Sequence, residues 1–145
     1  MGRRANLAAD QDGNSAVEFA LLAPVLALVC LGLIDGWSIT SFTLYMRAGV
    51  GSAANLYLQG AGDDSSVRTL VLQNWQDHPD DAAVAITRAY KCGGAAVTSA
   101  TLCTGSKAPA VYITIQATGT WVAPFEVDLL RTRQAMTHQQ VIRVR

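Results

Sequence analysis

The stretch from Ala16 to Ile34 constrains this chain more than any other. It runs for nineteen residues with Glu18 as its only charge. A helix of that length spans about 28 Å, close to the hydrocarbon core of a bilayer. Arg3 and Arg4 precede the run, and no Lys or Arg follows it until Arg47. That asymmetry predicts a cytoplasmic N-terminus and an extracytoplasmic remainder. Three readings compete for the segment. A cleaved signal peptide has a shorter apolar core and ends at a turn, whereas this run continues without a turn signal into Trp37–Met46. A buried helix of a soluble domain needs more chain to wrap it than the 145 residues present. A retained single transmembrane helix is the reading taken forward.

The helix is expected to outlast the membrane. Ala48, Val50, Ala53, Ala54, Leu56, Tyr57 and Leu58 supply an apolar face at helical spacing, and Gly60–Asp64 carries stop signals. A rod from Ser15 to Gln59 would measure roughly 65 Å. Pro24 lies inside it and removes one backbone donor, so a bend is expected over Leu21–Pro24. Gly32 and Gly36 form a small-xxx-small pair of the kind that lets helices approach closely. Gly49 and Gly51 are weak points in helical continuity.

Beyond the rod, Ser65 or Ser66 can cap a helix beginning at Val67, with Val67, Leu70, Val71 and Trp75 as its inner face and His78–Pro79 as its end. Trp75 reads as a core anchor. Ala83–Tyr90, Ala110–Thr118 and Thr137–Val144 alternate as strands do; the first places Val84, Ile86 and Tyr90 on one side, and the last carries Val141 and Val144. Trp121–Phe125 reads as a bend over the sheet. The fold class is α+β: a long N-terminal transmembrane helix, then a small antiparallel sheet domain with one disulfide. The expected divisions are a basic leader over 1–13, the transmembrane and extended helix over 14–62, and an extracytoplasmic domain over 63–145.

Cys92 and Cys103 flank a Gly-rich loop outside the cytoplasm, where thiols oxidise, and are expected to pair with each other. Zinc is a poorer use of them, because His78 and His138 show no ligand spacing. Cys30 lies within the span and is expected to stay a free thiol. The chain balances 11 basic against 11 acidic residues, so a polyanion partner such as nucleic acid is not indicated. Asp63–Asp81 holds five Asp against Arg68, while Arg131, Arg133, Arg143 and Arg145 form a basic tail. These are two solvated faces of opposite sign or, alternatively, unlike patches for head-to-tail contact between neighbouring subunits. The Asp residues lack the alternation of a calcium loop. No nucleophile pair, metal motif or phosphate loop is present, so neither catalysis nor a metal, cofactor or small-molecule substrate is expected.

Glu18 is the costly residue of the span. A carboxylate near the bilayer centre costs about 2.5–3.5 kcal/mol on insertion scales, and less at an edge. Placement at the cytoplasmic interface is one account of it. The stretch Gly13–Phe19 supplies another, because it resembles the processing site of type IV prepilins. In that family a peptidase cuts after the glycine and leaves a glutamate at mature position five. Here the cut would fall between Gly13 and Asn14, and Glu18 is the fifth residue after it. Gly13 has no side chain and can enter a narrow cleft extended. The new amine of Asn14, usually methylated in the family, is a cation that can pair with a Glu18 carboxylate, with a neighbouring subunit as the expected donor. The segment Gly13–Leu26 is also similar to the opening of TadE-like proteins, pseudopilins or minor pilins of the tight-adherence (Tad, or Flp) system. Val17, Glu18, Phe19, Ala20 and Pro24 carry that likeness, with Gly32 and Asp35 near the end of the run. Asn14 is larger than the residue more familiar after the cut.

The resemblance implies a structural or assembly subunit of a type IV pilus in a bacterial inner membrane. Its implied partners are a prepilin peptidase, other pilin-like subunits and the inner-membrane assembly platform. The alternative is a single-pass anchored scaffold that binds other envelope components and never enters a filament.

Overall fold

The computed structural model describes residues 12–60, 63–125 and 133–144, the first three as backbone only. Arg3, Arg4, Arg131 and Arg145 lie outside the described residues.

Helix α1 runs unbroken from Asp12 to Leu58, 47 residues and about 70 Å. The helical path continues through Pro24 and through Gly49 and Gly51. Its polar side chains are absorbed locally: the Thr40, Thr43 and Ser52 hydroxyls donate to the carbonyls of Gly36, Ile39 and Ala48 one turn back. Phe42, Met46, Val50, Ala53, Ala54 and Tyr57 fall at helical spacing and are all buried.

Helix α2, Asp64–Asn74, lies against that stripe through Val67, Val71 and Trp75, spaced four residues apart. Its N-cap is Asp63, not Ser65 or Ser66. The Asp63 carboxylate accepts from the backbone N–H groups of both serines and from both hydroxyls, satisfying donors that a helix start leaves open. The helix ends at Asn74, before the expected His78–Pro79. Gly49 is not a weak point but a contact: a Cβ there would stand 2.6 Å from the Val71 carbonyl oxygen. The two helices touch backbone to backbone because that side chain is missing.

Four strands, β1 (Ala83–Cys92), β2 (Ala95–Val97), β3 (Ala110–Val122) and β4 (Arg133–Arg143), form one antiparallel sheet in the order β2-β1-β3-β4. The inner face of β3 supplies Ile113, Ile115, Ala117 and Trp121, which close the core against α1 and α2. Three expectations need correction. Trp121 and Val122 continue β3, and the chain bends only at Pro124–Phe125. Strand β4 starts at Arg133, and Ile142, not Val141, is its inward aliphatic; Val141 is 55% exposed. Strand β2 was not anticipated. It is made by a two-residue turn at Gly93 and Gly94, with φ of 56° and 96°. Glycines tolerate this left-handed pair, and such a turn matches the twist of a hairpin.

Cys92 and Cys103 are joined, with 5.4 Å between their Cα atoms. Cys103 also bridges to Lys107 through its N–H. The bond ties the end of β1 to the segment that enters β3. Cys30 is free and exposed on α1.

Candidate functional site

The expected processing junction, Gly13–Asn14, falls in the first turn of α1, where both residues are helical. Asn14 and Glu18 are spaced i, i+4, so the two positions share one face of the helix. A protease cleft takes its substrate extended, so cleavage there would require the turn to unwind. Two local features keep that cheap. The first four N–H groups of a helix have no intrahelical partner, and a glycine costs about 1 kcal/mol relative to alanine in a helix. Cleavage would leave a cationic amine at the positive end of the helix dipole, an unfavourable place that a nearby carboxylate offsets. Glu18, exposed and one turn further in, is the first acidic residue after the junction.

Above the junction the helix is bare. Val17, Phe19, Leu21, Leu26 and Leu33 are all more than half exposed. The stretch Ser15–Leu58 is long and apolar enough to cross a membrane, and none of its most apolar 18-residue window is buried inside the fold. Gly32 and Gly36 face open space, with nothing within 4 Å of a built Cβ. A second helix could therefore approach there closely. Asp35 ends the run differently. It is 6% exposed, and neither carboxylate oxygen has a hydrogen-bond partner among the described residues. A buried carboxyl group without a hydrogen-bond partner is costly, and this one sits at the end of the apolar run.

The domain is fastened to α1 immediately above that point. Trp121 Nε1 donates to Ser38 Oγ at 3.0 Å. Phe42 meets Trp75 edge to face, with ring centroids 5.4 Å apart. Ser38 is four residues beyond Ile34, about 6 Å along the axis. The contacts thus begin at the mouth of the span, a proximity not foreseen from sequence. Read as part of a bend, Trp121 is hidden as an anchor; in β3 it faces α1.

The acidic residues of 63–81 are used singly and locally. Asp63 caps α2, and hydrogen bonds led by the Ser66 hydroxyl hold its carboxyl well below the ordinary range. Asp64 accepts from Arg88 at 2.7 Å and also from the Tyr57 hydroxyl, and Arg88 lies over the Tyr57 ring. The Arg88 guanidinium, ahead of that hydroxyl, lowers the Asp64 pKa. Burial, then the neighbouring Asp64, pushes the Tyr57 phenol up to about 12. Asp81 accepts from the Thr120 N–H at 3.1 Å, covering a backbone donor that β1 starts too late to pair. Three of the five acids therefore have intramolecular duties. No group of three or more His, Cys, Asp or Glu is placed to hold a metal ion among the described residues.

The distribution of likeness to known proteins follows this geometry. Residues 13–55 match the family model described as TadE-like protein. The match starts at the junction glycine and covers the span and most of the upper half of α1, but it stops before α2 and the sheet. No curated protein and no solved structure matches the chain.

Proposed function

We propose that this chain, whose segment 13–55 carries the TadE-like match, is a minor pilin or pseudopilin of a tight-adherence type IV pilus. One observation carries the reading: the Gly13–Glu18 junction opens an apolar run, Ala16–Ile34, that the fold leaves bare. A soluble protein would bury such a surface, and a single-pass anchor would need no such junction. In a pilus subunit both belong together. The peptidase removes residues 1–13 at the cytoplasmic face, the span stores the mature chain in the inner membrane, and the bare helix later packs among the helices of other pilin-like subunits at the assembly platform. The sheet domain stands outside the membrane. Its role is structural rather than catalytic.

Charge decides how the helix enters a bundle. A Glu18 carboxylate paired with the Asn14 amine of a neighbour can be buried together, whereas either one alone is costly. Glu18→Ala is expected to leave cleavage and membrane insertion intact and to reduce the assembled fraction at least tenfold. The measurement compares precursor, mature membrane protein and purified pili by immunoblot, with mass spectrometry of the mature N-terminus. A mature chain starting elsewhere than Asn14 overturns the processing step. Wild-type assembly of Glu18→Ala reduces Glu18 to an interfacial residue. Mature chain found only with membrane complexes, and never in pili, favours the scaffold.

A further inference from the structure

A cleft of about 320 Å³ opens where the domain meets the foot of its anchor. Trp37, Ser38, Ser41 and Tyr45 line it from α1, and Gln76 and Asp77 line it from the turn after α2. Its size is at the small end of ligand clefts. Its height is set by α1. Trp37 and Ser38 lie about 4.5–6 Å beyond Ile34 along the axis, and the headgroup layer extends roughly 5–8 Å beyond the hydrocarbon on each side. The lower rim of the cleft, at Trp37 and Ser38, therefore lies among lipid headgroups, while Ser41 and Tyr45, roughly 10 and 16 Å beyond Ile34, stand above them.

The chemistry of the lining selects one kind of headgroup. Asp77 is a carboxylate held by a backbone at φ 52°, in the left-handed region. Trp37 is 75% exposed, so this large ring sits at the rim and is not used in the core. Trp37 and Tyr45 offer π faces, and a carboxylate beside aromatic faces is a cation site. None of the described residues that line the cleft is basic, so an anionic headgroup would meet no counter-charge. Hydroxyl donors remain for a phosphate. Ser38 Oγ accepts from Trp121 Nε1 and so keeps its own hydrogen to donate, and Ser41 stands one turn away.

We propose that this cleft binds the zwitterionic headgroup of a lipid with a primary ammonium, phosphatidylethanolamine. The ammonium donates to Asp77 and lies against Trp37, while the phosphate accepts from Ser38. A quaternary ammonium cannot donate to the carboxylate, so phosphatidylcholine is the weaker ligand. The proposal rests on the reading of α1 as a membrane span with the domain directly above it. Lipid bound there pins the domain base to the bilayer surface.

The test uses the full chain in nanodiscs of equal phosphatidylethanolamine, phosphatidylcholine and phosphatidylglycerol, with retained lipid counted by native mass spectrometry. Retention of phosphatidylethanolamine is expected to exceed each of the others several-fold. Asp77→Asn is expected to lower it about tenfold, the loss of one charge-assisted contact; asparagine tolerates the same φ, so the fold is kept. Trp37→Ala removes a ring that packs on little and should lower retention as well. Equal retention of all three lipids, or a preference that neither variant changes, overturns the proposal and leaves the span intact. Displacement by soluble phosphoethanolamine as effective as lipid would overturn the lipid assignment. A chain that does not enter nanodiscs at all would overturn the span reading and the proposal together.

Discussion

The two halves of α1 share one helix and one apolar character, yet they are built for different surroundings. The lower half, Ala16 to Ile34, is rich in Leu and Val and bare on its sides, with Leu21 71% exposed. The upper half, Phe42 to Tyr57, carries its large apolar groups in one stripe and interleaves them with Ala48, Gly49, Gly51, Ala53 and Ala54. Hydrophobicity alone does not distinguish them. What distinguishes them is arrangement: a uniform coat suits a solvent of hydrocarbon, and a stripe of large and small residues suits a packed partner of fixed shape. The domain reads only the second pattern, so its stability should be sensitive to one half and indifferent to the other.

The strongest way to break that comparison is at the aromatic anchors. Trp75 is 1% exposed and Trp37 is 75% exposed. Trp75→Ala should destabilise the domain by about 3–5 kcal/mol, whereas Trp37→Ala should change it by less than about 0.5 kcal/mol. Chemical unfolding in detergent, followed by near-ultraviolet circular dichroism, measures both. Equal losses would mean that the lower contacts are part of the core.

Glycines give a smaller and sharper test. Gly49→Ala forces a methyl against the Val71 carbonyl and should cost about 1–3 kcal/mol, as overpacking does. Gly32→Ala and Gly36→Ala meet nothing within the fold and should leave the unfolding midpoint unchanged. Any effect of the latter two would belong to helix association, read as a change in oligomeric state or in pilus incorporation.

Acid separates the halves by the smallest margin. The Asp64 carboxyl is depressed in the folded chain, so its stabilisation is full above the ordinary carboxylate pKa of about 3.9 and is lost as pH falls through the lower folded value. The contribution is about 1 kcal/mol for a half-exposed ion pair. Asp64→Asn should flatten this acid limb, while the helical signal of the span persists. Tyr57 acts in the opposite direction. Its raised value means that its contribution is present below about 10 and is lost as pH rises toward about 12.

Legibility in the sequence followed the same division. The span, the disulfide and the cores of β1 and β3 could be read because each depends on a local pattern: an uninterrupted apolar run, two cysteines about a flexible loop, strict alternation. Strand β4 was harder, because its inner face carries His138 and Gln140 beside Ile142. Burial lowers the His138 pKa, helped by Arg47 on α1, which shows polar groups facing the helix where a period-2 rule expects aliphatics. Strand β2 hid behind Gly93–Gly94, which reads as flexibility until a partner strand turns it into a hairpin. Capping by Ser65 or Ser66 is what the sequence suggests; the structure instead has the Asp63 carboxylate serve the N–H groups of both serines. At the candidate site, the Gly13–Glu18 spacing was fully visible. The seating of the domain at Ser38 was not, since it depends on an 83-residue separation between Ser38 and Trp121.

Because α1 has no break between the bare half and the packed half, the two are locked in rotational phase. Each residue of an α-helix turns the chain by about 100° and lifts it 1.5 Å. Adding or removing one residue between Ile34 and Ser38 would leave the contacts from Ser38 upward intact, yet it would swing the whole sheet by more than a quarter of a circle relative to the faces of the lower half. Neighbours that grip the span through Gly32 and Gly36 would then see a different side of the domain. A count of three residues therefore sets the azimuth at which the domain faces outward from the helix.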